Sequence, residues 1–165
     1  MELMNAIKNR QSCRVYASEM VTEDQLKQIL QAGNSAPVSM GNYDTVQFSV
    51  VQNKELIAKL EENAHNAMPG IPEHPLYGIS TVIAINCKKD DKAAIAWANA
   101  SCIAENMMLA ATDLGLGSVY LMAVPVTAQF NPELCKELKL QEGFLPYVMV
   151  GVGKPQSEPE ERQLT

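Results

Sequence analysis

Aromatic residues are scarce in this chain of 165 residues, where they make up only 5% of the composition. Hydrophobic residues nevertheless account for 47% and charged residues for 19%, and both shares are ordinary for a globular protein. Nine methionines supply flexible apolar side chains in place of rings. Because a chain of this length buries most of its apolar surface on folding, we predict one domain, residues 1–165, with a largely aliphatic core.

Positive charge is also in short supply. The formal net charge is -6 at pH 7, the pI is near 4.9, and no run of Lys or Arg occurs. A protein that binds nucleic acid needs a basic face to neutralise phosphates. We therefore expect no nucleic acid among its partners.

Membrane segments, targeting signals and metal-ligand spacings are missing from the sequence. No apolar run approaches the roughly 20 residues that cross a bilayer, and the first residues do not form a signal peptide. His65 and His74 have no third ligand nearby in sequence, and none of the four cysteines has CxxC or zinc-ligand spacing. These features predict a cytoplasmic protein with reduced thiols, no membrane association and no metal site.

The periodicity of apolar residues predicts strands alternating with a larger number of helices. Strands are expected at 46–50, 81–85, 118–123 and 146–152, the first with one buried face. Helices are expected around 3–7, from the capping box of Thr22 and Gln25 to Gly33-Asn34, around 56–60, from about Lys92 to Leu114, and from Pro132 to about Leu140. This order predicts an α+β or α/β sheet covered by helices. A Pro/Glu-rich arm, residues 154–165, has little to bury, and only contact with another surface would order it.

Two arginines and a serine occupy every second position in the segment Arg10-Gln11-Ser12-Cys13-Arg14. In extended chain, alternate side chains point to one side, so Arg10, Ser12 and Arg14 are placed to converge on one anion. Guanidinium groups offer forked donors that suit phosphate. The alternative is a loop with two surface arginines, and the spacing alone does not decide between the two interpretations.

A long loop of small and polar residues, 35–44, is predicted between the second helix and the first strand. Its composition lets backbone amides and the Asn42 side chain approach a planar ligand closely, for example the edge of a flavin or a nucleobase. The alternative is a plain connection built from turn residues.

Four loose motifs follow one another along the chain. They are Asn-Arg-x-Ser-x-Arg at 9–14, the stretch from Ala32-Gly33 through Ala36-Pro37 and Asn42 to Phe48-x-Val50-Val51, the helix and Gly-Leu-Gly turn at 106–118, and the segment 142–153 that ends in Val150-Gly151-Val152-Gly153. In this order they resemble the nitroreductase family over almost the whole chain.

The resemblance implies an α+β fold with a central mixed or antiparallel sheet covered by helices, a long central helix, and a homodimer with interlocked termini. It also implies FMN at the dimer interface and NAD(P)H as co-substrate. The resulting enzyme would pass hydride through FMN to a nitroaromatic, a quinone or a similar small-molecule electron acceptor in a ping-pong cycle. Because the flavin carries the chemistry, no catalytic side chain is expected.

The family's cofactor-binding residues correspond to four parts of this chain. The resemblance makes Arg10, Ser12 and Arg162 phosphate ligands and places Arg14 near the ribityl chain or the pyrimidine edge of the flavin, with Gln11 in the same segment. The residues that would line the flavin ring are Pro37, Val38, Ser39, Asn42, Tyr120, Leu121 and Met122.

The chain departs from the family pattern at several positions. Gln11 stands where Arg is frequent, Asp44-Thr45-Val46 replaces Gln-Pro-Trp, and Glu160 occupies a position that is often Lys. The segment 61–80 is short and lacks the extra helices that larger members place over the flavin. These departures predict weaker phosphate binding. Two alternatives stay open: a flavin store or redox sensor without turnover, or specialised chemistry such as reductive dehalogenation or flavin breakdown. The short middle segment argues against the second, because it offers little material for a substrate lid.

Overall fold

The computed structural model describes residues 1–89 and 93–158. The helices in this part of the chain are α1 (Leu3–Asn9), α2 (Glu23–Asn34), α3 (Lys54–Ala67), α4 (Ala93–Asp113), α5 (Ala123–Ala128) and α6 (Pro132–Glu137). The strands are β1 (Val46–Val51), β2 (Thr81–Lys88), β3 (Gly117–Leu121) and β4 (Phe144–Gly153). None of the described helices is both long enough and apolar enough to cross a membrane.

The four strands form one antiparallel sheet in the order β1-β2-β4-β3. Ile83 lies at the centre, paired with Val50 of β1 on one side and Val150 of β4 on the other. The long strands β2 and β4 are buried along nearly their whole length, so both faces of the sheet must be covered by helices. The predicted α+β sheet is therefore confirmed, in its antiparallel form.

Side chains that alternate along β2 and β4 divide the core into two layers. Ile83 and Val150 pack with α2 and α4 on one face, which we call the α4 face. Val82 and Met149 pack with α3 and α5 on the opposite face, which we call the α3 face. The molecule is thus a three-layer sandwich with the sheet in the middle.

The helices that were marked by local sequence signals form where they were predicted. Thr22 caps α2 with its hydroxyl, which accepts from the Gln25 amide at 3.2 Å, and the Gln25 side chain accepts from the Thr22 amide at 3.0 Å. This reciprocal pair is the predicted capping box. The long helix is present as α4, and Met107 and Ala111 in its second half are completely buried.

The predicted alternation of β1 is wrong at two positions. Ser49 is buried, whereas Val50 is 39% exposed. Ser49 tolerates burial because its hydroxyl donates to the carbonyl of Leu138 at 2.6 Å and accepts from the Asn86 amide at 2.9 Å.

The predicted third strand is too long, because β3 ends at Leu121 and α5 begins at Ala123. The sequence did not indicate this helix, since Pro125 and two valines have low helix propensity. Pro125 lies in the first turn, where backbone amides have no partner within the helix, so its missing donor is harmless. Burial of Val124 and Ala128 on the α3 face compensates for the low helix propensity of this segment.

The predicted helix from Pro132 to about Leu140 ends earlier, at Glu137. Lys139 adopts the left-handed conformation, with φ 56°. The Leu140 amide then donates back to the Cys135 carbonyl at 3.1 Å, as in the usual glycine-terminated helix end. A lysine here gave no signal in the sequence, because glycine or asparagine is the usual residue.

The beginning of the C-terminal arm is held by the same chain. Residues 15–17 pair antiparallel with 154–156, through the Ala17 amide to the Lys154 carbonyl at 2.9 Å and the Gln156 amide to the Val15 carbonyl at 3.2 Å. The expectation that the whole arm needs another surface is therefore wrong for its first residues. Residues 159–165 lie outside the described part of the chain.

Candidate functional site

Arg10 is positioned by the end of α1. Its amide donates to the Ala6 carbonyl at 2.9 Å, and its Nε lies 3.5 Å from Oε1 of Glu105 on α4. The Arg10 side chain is 21% exposed, whereas Ser12, two residues further on, is largely exposed. Gln11 between them is half-buried. Arg10 thus presents a cation beside α4, and Ser12 presents an exposed hydroxyl two residues further on.

The segment that carries these residues lies along the free edge of β3. Ser12 forms a parallel bridge with Ser118, and the Cys13 amide donates to the Ser118 carbonyl at 2.9 Å. Two glycines permit this close approach: a Cβ at Gly117 would meet Cys13 Sγ at 2.7 Å, and one at Gly153 would meet the Tyr16 ring at 2.8 Å.

Tyr16 locks the segment in place. Its hydroxyl donates to the Cys13 carbonyl at 2.7 Å, and burial raises the pKa of the phenol, so the group stays neutral and keeps donating over the ordinary pH range. Residues 10–14 are therefore held in position by contacts with the edge of the sheet.

Arg14 turns toward a different layer from Arg10. Its guanidinium carbon lies 5.8 Å from the centre of the Tyr77 ring, and Tyr77 packs on the α3 face. Arg10, in contrast, contacts Glu105 on α4. Arg10 and Arg14 therefore have different partners, one on α4 and one on the α3 face, and their predicted convergence on one anion stays a prediction.

The loop 35–44 is held against α4 by one buried amide side chain. The Ser39 amide donates to Oδ1 of Asn99 at 3.0 Å, and Asn99 is only 7% exposed. Val38 is buried beneath the loop, whereas Pro37 and Asn42 are exposed. Asn99 was not among the predicted site residues, although a polar residue in a largely apolar helix is a usable signal.

Residues at the end of β3 point in alternate directions. The Tyr120 hydroxyl shares a hydrogen bond of 2.9 Å with Ser101 of α4, so Tyr120 belongs to the α4 face. Leu121 is buried on the α3 face, and Met122, just before α5, is 51% exposed. Of the three residues predicted to border a flavin ring, Met122 is the most exposed, Tyr120 is half-buried and Leu121 is buried.

The Arg10 group and the loop 35–44 lie on different flanks of α4. Asn99 and Asn106 point toward the loop and α2, whereas Ser101 and Glu105 point toward Tyr120 and Arg10. With about 100° per residue, these two directions differ by about 130° around the helix axis. In one chain, α4 therefore stands between the two groups of predicted flavin residues.

Neither of two cavities in the described part of the chain joins the two groups. A cavity of about 110 Å³ lies under the loop beside Val38 and Tyr43, which is below the 300–1,000 Å³ typical of ligand pockets. A shallow groove of about 460 Å³ between α3 and α6 contains none of the predicted site residues. The described residues include no cluster of three or more His, Cys, Asp or Glu that could hold a metal ion.

Comparison with known proteins identifies the family. The model of the nitroreductase family matches residues 7–154. The chain belongs to the nitroreductase family. The resemblance of the four motifs is thereby confirmed.

Individual relatives cover nearly the whole molecule. A protein of Archaeoglobus fulgidus named as an NADH dehydrogenase/NAD(P)H nitroreductase is 29% identical over 160 residues, which are 96% of this chain and 88% of the relative. An FMN reductase (NAD(P)H) of Bacillus subtilis is 30% identical and is matched over 93% of this chain and 66% of its own length. A crystal structure of a Bacteroides fragilis nitroreductase with bound FMN has a TM-score of 0.83 at 27% identity, and the match covers 100% of this chain and 95% of that one.

The side chains of this nitroreductase-family member suit a phosphorylated ligand. Arg10 and Ser12 supply a cation and an exposed hydroxyl, the donor set that phosphate oxygens prefer. The Ser118 hydroxyl beside Ser12 is buried and has no hydrogen-bond partner among the described residues. Arg162 and Glu160, which the sequence placed near the same phosphate, lie outside the described part of the chain.

Proposed function

We propose that this protein is an FMN-dependent oxidoreductase that uses NAD(P)H to reduce a small-molecule acceptor such as a nitroaromatic or a quinone. The carrying observation is the position of Arg10 and exposed Ser12 two residues apart, directly after α1, within a family match over residues 7–154. The names of the Archaeoglobus and Bacillus relatives support the nicotinamide and FMN parts of the proposal. We also place the protein in the cytoplasm, since its cysteines are free and carry no disulfide in the described structure.

The phosphate of FMN would lie at Arg10 and Ser12. The Arg10 guanidinium contributes a permanent positive charge and the Ser12 hydroxyl a directional hydrogen bond. Glu105 lies on one side of Arg10, with Oε1 3.5 Å from Nε, and helps to orient the guanidinium group. We propose Arg162 as a further phosphate ligand.

The flavin ring would be shared between two copies of the chain. The loop residues Pro37, Val38, Ser39 and Asn42 lie across α4 from Arg10, so one copy cannot supply both groups to one ring. The outer face of α1 also exposes Leu3 to 66%, Met4 to 59% and Ile7 to 42%. Apolar side chains at this exposure are typical of a surface that another protein covers. We therefore propose a homodimer with two shared sites.

Bound FMN would supply the redox chemistry, taking hydride from NAD(P)H and giving it to the acceptor in a ping-pong cycle. The protein would position the flavin and stabilise the charge that develops on it. Arg14 would lie near the pyrimidine edge and favour the negative charge that this edge acquires on reduction, because a fixed cation stabilises developing charge without reorganising. Tyr120 and Met122 would border the ring, supported by buried Leu121.

The decisive experiment is reconstitution. The purified protein is mixed with FMN, freed of excess flavin on a sizing column, and examined by absorption spectroscopy, followed by NADH or NADPH oxidation with a quinone. A yellow dimer that oxidises NAD(P)H is expected. A colourless protein contradicts the proposal, and a yellow protein that never oxidises NAD(P)H supports a flavin store instead.

The phosphate assignment has its own test. Arg10→Ala should weaken FMN binding about tenfold to a hundredfold, since hydrogen bonds to charged groups contribute roughly 1.5–3 kcal/mol. Lys8→Ala is the matched control, because Lys8 is an exposed cation on the same helix. The FMN affinity of both variants is measured by titration, from the quenching of flavin fluorescence. If the two variants bound FMN with equal affinity, Arg10 would not be a phosphate ligand.

A further inference from the structure

Tyr77 is presented by a tightly held loop between α3 and β2. Its neighbours Leu76 and Ile79 are buried at 0% and 3% exposure and anchor the loop to the α3 face. The Leu76 amide donates to Oε1 of Glu61 at 3.1 Å, and the Ile79 amide donates to the Leu76 carbonyl at 3.0 Å. The backbone on both sides of Tyr77 is therefore fixed.

The backbone of Tyr77 itself is strained. Its φ is 56°, and Gly78 follows with φ 72°. Glycine adopts this region freely, but a bulky aromatic residue rarely does, because Cβ crowds the adjoining peptide. Strain of this kind persists only where the surrounding structure enforces it, and it is concentrated at functional positions. The ring is thus held in a place that an unstrained loop would not give it.

The ring lies against Arg14. The guanidinium carbon of Arg14 is 5.8 Å from the ring centre, within the range over which the negative face of an aromatic ring attracts a cation. Arg14 is otherwise largely exposed, and a long exposed side chain samples many rotamers. The contact with Tyr77 restricts these rotamers, although the two residues are far apart in sequence.

We propose that Tyr77 is a positioning residue that holds the Arg14 guanidinium at the pyrimidine edge of the flavin. The inference rests on the proposed function, in which Arg14 favours the negative charge of the reduced ring. Tyr77 acts through Arg14 and not on the flavin itself. The useful part of Tyr77 is its ring, because the ring provides the attraction and the hydroxyl is not needed for it.

The test uses variants that keep or remove the ring in the same strained backbone. Tyr77→Phe keeps it and Tyr77→Leu removes it, and each change is also made together with Arg14→Ala. The measured quantities are the dissociation constants of oxidised and reduced FMN and the midpoint potential of the bound flavin. Thermal unfolding of the protein without flavin reports whether each variant is folded.

Tyr77→Leu should weaken binding of reduced FMN about two- to five-fold more than binding of oxidised FMN, the factor that corresponds to an exposed cation–ring contact. The midpoint potential should shift to more negative values. Tyr77→Phe should match the unmodified protein. In the Arg14→Ala background, Tyr77→Leu should have no further effect on the potential, because its target is already absent.

Two results overturn the inference while leaving the proposed function intact. One is an unchanged potential in a folded, flavin-binding Tyr77→Leu variant. The other is an equal shift with and without Arg14, which would mean that Tyr77 acts only on the fold. If the unmodified protein binds no FMN, the proposed function fails first and this inference fails with it.

Discussion

Replacing Gly153 with alanine should loosen the segment that carries Arg10, Ser12 and Arg14. An added Cβ would lie 2.8 Å from Cδ1 of Tyr16 and 3.5 Å from two further ring atoms. The first distance is well inside van der Waals contact, and a displacement of the whole ring would strain its hydrogen bond to the Cys13 carbonyl. Tyr16 and the bridge to Pro155 must therefore move outward.

The expected change in the free energy of unfolding of Gly153→Ala is the sum of two opposing effects. Overpacking a well-fitted site costs about 1–3 kcal/mol. Replacing glycine with alanine also stabilises by about 0.4–1 kcal/mol, because the unfolded chain loses freedom. The net loss should be about 1–2 kcal/mol, which corresponds to a fall in Tm of about 2–8 °C for a chain of this size.

The assay is thermal unfolding by circular dichroism or calorimetry at one fixed protein concentration, because dimer formation would make Tm depend on concentration. Gly153→Ala is compared alone and together with Tyr16→Ala, which removes the ring. The loss should largely disappear in the Tyr16→Ala background, since no clash remains. An unchanged or higher Tm for Gly153→Ala, or an equal loss without the ring, would refute the explanation.

Three further predictions concern the core and the surface. Ser49→Ala should destabilise by about 1–3 kcal/mol in urea unfolding, since it leaves the buried Asn86 amide without its 2.9 Å acceptor; an unchanged midpoint contradicts this. Lys139→Gly should stabilise by about 0.5–1 kcal/mol because it relieves φ 56° at the end of α6, whereas Lys136→Gly inside that helix should destabilise by about 1 kcal/mol. Burial raises the pKa of the Cys87 thiol from 9.0 to about 11, so stability should fall as pH rises from 9 toward 11, where the unfolded chain ionises first. Cys87→Ala should flatten that part of the pH profile, and an identical profile in both proteins would show that Cys87 is not responsible.

Much of the fold could be predicted because its signals are local. The capping box of Thr22 and Gln25 involves residues three positions apart, and the apolar run that became β2 is visible without knowing its neighbours. The α5 helix could not be found in this way. Its residues have low helix propensity, and only burial against the α3 face makes the helix favourable.

The candidate site, too, could be predicted only in part from the sequence. The chain order gives the residue types Arg10, Ser12 and Arg14 and their spacing. This spacing suggested an anion site as one interpretation, and only together with three further motifs did it suggest the family. The directions of the side chains were not given, because each guanidinium takes its position from a distant partner: Glu105 on α4 for Arg10, and Tyr77 on the α3 face for Arg14.

The sequence by itself therefore determined the helices and strands with strong local signals, the family, and the kinds of functional group available. Only the tertiary structure decided that the loop 35–44 and Arg10 lie on different flanks of α4, and that Tyr77 faces Arg14. The physical reason is that capping, periodicity and turn formation act over a few residues. The direction of an exposed side chain depends instead on contacts made across layers of the fold, between residues far apart in sequence.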